Sequence, residues 1–168
     1  SPTFYIRLGN ANNQISKDQM QINIFGQSAE NNKGFFTEFH FQKNTWTHVA
    51  MVYDQTKCYF YANGKKVQEV DATGVPADMT SITFFNANTK NEHMMGQVRL
   101  WNKVLTQAEI ESNMGGPVTV NPNLIGYWKM DEGSGDVIFD SSGNGNDATI
   151  ATGKIIEWRP DQCFTKSK

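Results

Sequence analysis

With 168 residues, 38% of them hydrophobic and 12% aromatic, the chain suffices for one domain that buries about 70% of the surface its unfolded form exposes. A formal net charge of −2 argues against a nucleic-acid partner, which needs a basic stripe to neutralise phosphates. No stretch is long and apolar enough to span a bilayer. The opening at Ser1-Pro2, with neither initiator Met nor signal peptide, is expected of a mature or trimmed fragment.

Short apolar runs alternate with clusters of Asn, Gly, Asp and Pro, the pattern of an all-β sandwich or barrel. Phe4 to Leu8 is the first expected strand, and the loop Gly9 to Asn13 follows it. Between Gln19 and Phe25, Met20, Ile22 and Ile24 alternate with polar residues, so one face is buried and one is wet. Gly26 to Gly34 is a polar loop. Phe35 to Phe41 is a strand with Phe35, Phe39 and Phe41 on one face and Glu38 and His40 on the other. Trp46 to Tyr53 is apolar nearly throughout, as a central strand covered on both faces would be.

The clearest local signal is Lys57 to Ala62, then Asn63-Gly64, then Lys65 to Val70. Asn-Gly supplies the two positive φ angles of a type I′ turn, so these runs form a two-residue hairpin. Ser81 to Phe85, Met95 to Trp101, Gly126 to Met130, Val137 to Phe139 and Ala148 to Ile150 complete the expected strands. One helix is expected, near Gln107 to Asn113. Thr106 and Glu109 form a capping box, Leu105, Ile110 and Met114 fall near helical spacing, and Gly115-Gly116-Pro117 ends it. Cys58, in a strand, and Cys163, in the tail, are too few for a disulfide framework. A bridge between them and two unpaired thiols both remain open, the latter being the better reading.

Several stretches carry a family resemblance. Trp46-Thr47-His48-Val49-Ala50-Met51-Val52-Tyr53-Asp54 runs into Tyr59-Phe60-Tyr61-Ala62-Asn63-Gly64-Lys65; Val98-Arg99-Leu100-Trp101 leads through Thr106 to Glu109-Ile110; Gly126-Tyr127-Trp128-Lys129-Met130-Asp131-Glu132-Gly133 precedes Asp140 to Asp147. Together they resemble the laminin G-like and pentraxin-like domains of the concanavalin A-like lectin/glucanase superfamily. The resemblance implies a two-sheet antiparallel jelly roll with one short helix, spanning residues 1–168 as a single domain. In most relatives the tryptophan–acidic–Gly stretch opens the domain, whereas here it comes near the end, so a circularly shifted or N-terminally trimmed variant is expected. Relatives often carry an acidic pair just before the late strand. This chain has Gly96-Gln97 there, which puts any ligand role of that pair in doubt.

Candidate chemistry is sparse. Asp131, Glu132 and Asp136 are the nearest approach to the paired carboxylates of glycoside hydrolysis. On a strand, however, Asp131 and Glu132 point to opposite faces, and all three acids read better as turn residues around Gly133-Ser134-Gly135. Asp140, Asn144, Asn146 and Asp147 place oxygen donors within one Gly-rich loop, an arrangement that can wrap Ca²⁺. It can equally be an Asx turn capping its own backbone, the commoner case. His40, His48 and His93 share no metal-ligand spacing, and His48 reads as a hydrogen-bonded core residue. Among the aromatics, Trp46, Trp101 and Trp128 are expected in the core. Tyr59 and Tyr61 share one strand face and are the candidate ligand residues, because Cys58 and Phe60 can fill the opposite face. The expected function is non-catalytic binding of carbohydrate at a cell surface or outside the cell, with a glycan or an extracellular protein as partner. A protein–protein adhesion module is the alternative, and a glycan-degrading enzyme is disfavoured because no acid pair, metal triad or nucleophile–base set emerges.

Overall fold

In the computed structural model, residues 3–8, 18–25, 33–73, 82, 94–150 and 157–159 are described. The elements run β1 (Thr3–Leu8), β2 (Gln19–Phe25), β3 (Lys33–His40), β4 (Val49–Tyr53), β5 (Lys57–Ala62), β6 (Lys65–Asp71), β7 (Val98–Trp101), α1 (Gln107–Asn113), β8 (Leu124–Trp128), β9 (Val137–Ile138) and β10 (Ala148–Thr149). Every strand pairing among the described residues is antiparallel. The expected strand Ser81 to Phe85 lies outside the described residues but for Ile82, as do His93 and Cys163.

The chain divides into two compact units, Ser1–Ile82 with Val104–Met114, and Thr83–Lys103 with Gly115–Lys168. The first holds two three-stranded sheets, ordered β1-β2-β3 and β4-β5-β6, which approach each other through β3 and β6. The second holds the pairs β7-β8 and β9-β10.

The β5–β6 hairpin forms as its sequence dictates. Asn63 and Gly64 take φ of 49° and 80°, the double left-handed step of a type I′ turn. Asn63 also ties down the preceding loop, its Oδ1 accepting from His48 N–H (3.0 Å) while its own N–H donates to the His48 carbonyl (2.8 Å). Gly64 is needed for space as well as for φ, since a Cβ there would lie 2.6 Å from Glu111 Cγ on α1. Helix α1 starts with its capping box complete: Glu109 N–H donates to Thr106 Oγ1 (3.3 Å) and Thr106 N–H to Glu109 Oε2 (2.8 Å).

Apolar residues of β4 pack on both faces. Val49, Met51 and Tyr53 join the cluster of Cys58, Phe60 and Ala72, while Ala50 and Val52 join that of Tyr61 and Ile110. Yet β5, not β4, is the middle strand of the three. The strand begins only at Val49, and Trp46, expected in the core, is 37% exposed in the loop before it. Trp128 is buried as expected, and Trp101 is half-buried. On β3, Glu38 and His40 are exposed while Thr37 is buried, and Phe41, just after the strand, packs against the Cys58–Phe60 cluster. Cys58 is a free, buried thiol whose pKa burial pushes up to about 12, so it is inert at neutral pH.

Candidate functional site

Strand β5 sends its residues alternately to two faces, and the two expected ligand tyrosines share one of them. Their surroundings differ. Leu105 and Ile110, which flank and enter α1, cover the Tyr61 end, leaving Tyr61 7% exposed in a cluster with Val52. Docking of the helix makes Tyr61, one of the two candidate ligand tyrosines, a core residue. Tyr59 only borders that cluster and stays half-buried.

Charged groups surround Tyr59. Its hydroxyl donates to Asp54 Oδ2 (2.9 Å), and Lys66 Nζ lies 5.5 Å from its ring centroid. Glu69, directly across the ladder from Tyr59, accepts from Lys57 Nζ (2.7 Å) and Lys66 Nζ (2.6 Å). These bonds, Lys57 first and then Lys66, hold the Glu69 carboxyl at about 2. Asp54 Oδ1 accepts from Lys57 N–H (2.7 Å), Thr56 Oγ1 (2.7 Å) and Thr56 N–H (2.9 Å), a set that places its carboxyl far below the usual range. Donation to Asp54 in turn pushes the Tyr59 hydroxyl up. The result is an aromatic ring fenced by two carboxylates and two ammonium groups. Such a ring can stack the apolar face of a sugar while the fence bonds its hydroxyls. Asp54 escaped the sequence reading, although Asp54-Gln55-Thr56 is an Asx-turn pattern that marks it.

The loop from Asp140 to Asp147 does bring its oxygen-bearing side chains together, but around backbone. Asp140 Oδ1 accepts from Tyr127 N–H (2.9 Å) and Ser142 N–H (2.8 Å); Oδ2 accepts from Ser142 Oγ (2.8 Å) and Asn146 N–H (3.0 Å). A carboxylate offers about four lone-pair sites, so this one is saturated by its own chain. Burial, the largest single effect, pushes the Asp140 carboxyl up. The bonds from Ser142, Tyr127 and Asn146 together outweigh it and leave the group below its ordinary 3.8. Asp147 Oδ1 accepts from Asp140 N–H (2.8 Å). Asn144 Nδ2 donates to the Leu124 carbonyl (3.0 Å) and Asn146 Nδ2 to that of Ile125 (2.7 Å), stapling the loop to β8. Trp128 Nε1 closes the corner by donating to the Asn146 carbonyl (2.8 Å). An ion here would have to displace protein donors from Asp140, so the donor set as arranged fits an Asx cap and not a calcium cage.

Strand β8 ends at Trp128, so Asp131, Glu132 and Asp136 all lie in a loop and not on a strand. Asp131 and Asp136 are exposed. Glu132 is structural, its Oε1 accepting from Phe139 N–H (2.9 Å). His40 Nδ1 meets Asp18 Oδ2 (3.0 Å) at the surface, and His48 is half-buried. Among the described residues no group of three or more His, Cys, Asp and Glu is placed to hold a metal. No helix among them is long and apolar enough to cross a membrane.

Comparison with known proteins agrees with this architecture. Residues 2–111, well over half of the chain, match the family model Laminin_G_3 of the concanavalin A-like lectin/glucanases superfamily. The chain belongs to that family, and its fold class is the all-β antiparallel sandwich with one short helix. No curated protein matches. Among solved structures, a candidate carbohydrate-binding protein from Bacteroides ovatus is similar at 27% identity and a TM-score of 0.67. The match covers 89% of this chain and 45% of that protein, so the chain spans under half its length. An S-layer domain-containing protein from Clostridium thermocellum matches at 13% identity over 66% of this chain and 62% of that one. Its TM-score of 0.34 is too low to bear on fold or function.

Proposed function

We propose that this chain is a non-catalytic carbohydrate-binding module, working at a cell surface or outside the cell as part of a glycan-handling protein. The observation that carries the reading is the likeness, at 27% identity and over 89% of this chain, to the Bacteroides ovatus candidate carbohydrate-binding protein. The Tyr59 surface supports it locally: a half-open ring on a rigid strand, bordered by Asp54, Lys66 and Glu69. Asp54 has a structural task in a turn, Asp140 in a corner and Glu132 on Phe139 N–H. Calcium has no part in the reading.

The test is titration of the purified chain with glycans selected by array, for wild type and Tyr59→Ala. Loss of one stacking ring is worth about 1 kcal/mol, a five- to tenfold weaker Kd. Equal affinity in both proteins would move the site away from Tyr59. Absence of any glycan ligand would overturn the reading.

A further inference from the structure

The Tyr59 surface is rich in charge, and the way its charges are paired decides which sugars it suits. By strand alternation Lys57 and Tyr59 share one face of β5. Glu69 stands directly opposite Tyr59 in the ladder and Asp71 directly opposite Lys57. Lys66, across from Tyr61, reaches over the Tyr59 ring, and Asp54 receives the Tyr59 hydroxyl. Three carboxylates thus meet two ammonium groups. Lys57, Lys66, Glu69 and Asp71 are exposed, and Asp54 and Tyr59 are half-buried, so the groups are within a ligand's reach.

Neither ammonium group is an unclaimed cation. Glu69 receives both, Lys57 Nζ on Oε1 and Lys66 Nζ on Oε2, and these bonds hold its carboxyl at about 2, ionised at neutral pH. An incoming oxyanion would have to draw a lysine away from Glu69 while itself approaching Glu69, Asp54 and Asp71. What stays open is acceptor capacity. Asp54 Oδ1 is filled by Thr56 and Lys57 donors, but Oδ2 accepts only from the Tyr59 hydroxyl. Each Glu69 oxygen accepts one bond and has a lone pair left for another. Open carboxylate lone pairs take hydroxyl hydrogens, which an ionised carboxylate or sulfate group does not carry. The remaining N–H groups of the two lysines can bond the oxygens of the same sugar. Like charges brought together also exclude the wrong ligand without any new contact to the right one.

We infer that the Tyr59 surface selects neutral glycans over uronates and sulfate esters, and that Glu69 sets the preference. It does so twice over, repelling an oxyanion directly and keeping both lysines engaged. This rests on the carbohydrate reading and deepens it, giving the ligand its charge class.

A glycan array of matched pairs tests it, each neutral oligosaccharide beside the same chain carrying one uronate or one sulfate, followed by calorimetry on the tightest pair. Neutral members should be retained, and their acidic counterparts should bind roughly five- to tenfold more weakly, the effect of one like-charge contact in water. Salt should leave the neutral affinity unchanged and raise the acidic one, because it screens repulsion. Glu69→Gln, which removes the charge and frees both lysines, should close the gap or reverse it. Asp136→Asn, which removes the same charge from an exposed position in the other compact unit, should leave the gap intact. A thermal melt of Glu69→Gln accompanies the titration, and the salt dependence carries the decision if that variant unfolds. Acidic members bound as tightly as their neutral counterparts or more so, an acidic affinity that falls as salt rises, or a gap that survives in folded Glu69→Gln overturns the inference and leaves the carbohydrate reading standing. Retention of no glycan overturns both.

Discussion

Replacing Asp140 by alanine removes an acceptor that four donors share. The exposed Asn146 N–H can turn to water, and Ser142 Oγ–H can rotate to another acceptor. The N–H groups of Tyr127 and Ser142 have less recourse, since those residues are 2% and 5% exposed. A buried donor left without a partner costs about 1–3 kcal/mol, so two of them bring the loss to about 3 kcal/mol. That is a large fraction of the roughly 5–15 kcal/mol by which domains are stable. Urea unfolding followed by tryptophan fluorescence reads it directly, because Trp128 anchors the same corner through Asn146. With a slope near 2 kcal/mol per molar, the midpoint should fall by about 1.5 M. Asparagine keeps one oxygen for the Tyr127 and Ser142 N–H groups but turns an amide toward Asn146 N–H, so Asp140→Asn should lose roughly half as much. The sign with pH follows from the lowered carboxyl. A group whose folded pKa lies below its unfolded 3.8 contributes fully above that pH, and the contribution fades as pH falls through the folded value. The gap between wild type and Asp140→Ala should therefore narrow below about pH 4. An alanine variant within about 0.5 kcal/mol of wild type at neutral pH would refute the view of this loop as a carboxylate-capped corner.

Melts in millimolar calcium and in chelator should coincide, because Asp140 is already saturated; a calcium-dependent rise that disappears in Asp140→Ala would restore the ion-binding reading. Gly126→Ala should lower Tm by about 5 °C, since the new Cβ would run into the Trp128 ring and overpacking costs about 1–3 kcal/mol. An unchanged Tm would show that the ring gives way freely. In an NMR titration the Glu69 carboxyl should have its midpoint at about 2, held down by Lys57 and Lys66, with its stabilising effect present above 4.5 and lost as pH falls through 2. Added salt should raise that midpoint because the group is exposed, and a midpoint of 4.5 in low salt would mean that the two lysines do not engage it.

What could be read from the sequence was local, and what could not was set by packing between distant segments. Asn63-Gly64, the Thr106–Glu109 capping box and the alternation of Cys58, Tyr59, Phe60 and Tyr61 depend on neighbours within a few residues, and each is present as expected. The difference between Tyr59 and Tyr61 depends on where α1 docks, more than forty residues along the chain from either ring. Periodicity could place both on one face without telling which the helix covers. The same holds for Asp140: composition identified oxygen donors beside glycines, but only the approach of Tyr127 and Asn146 N–H groups decides whether those oxygens face backbone or an ion. Trp46 was misplaced because an apolar run does not mark where its strand begins, and the ladder starts only at Val49. Glu69 gives no motif at all, since its place opposite Tyr59 and between Lys57 and Lys66 follows from the β5–β6 register.

The most direct measurement of the central claim is a glycan array probed with the purified chain, with the length distribution of each retained glycan checked after prolonged incubation. The account predicts selective retention of a related set of glycans, recovered at their original length. Retention of none, or recovery of shortened chains, would contradict it.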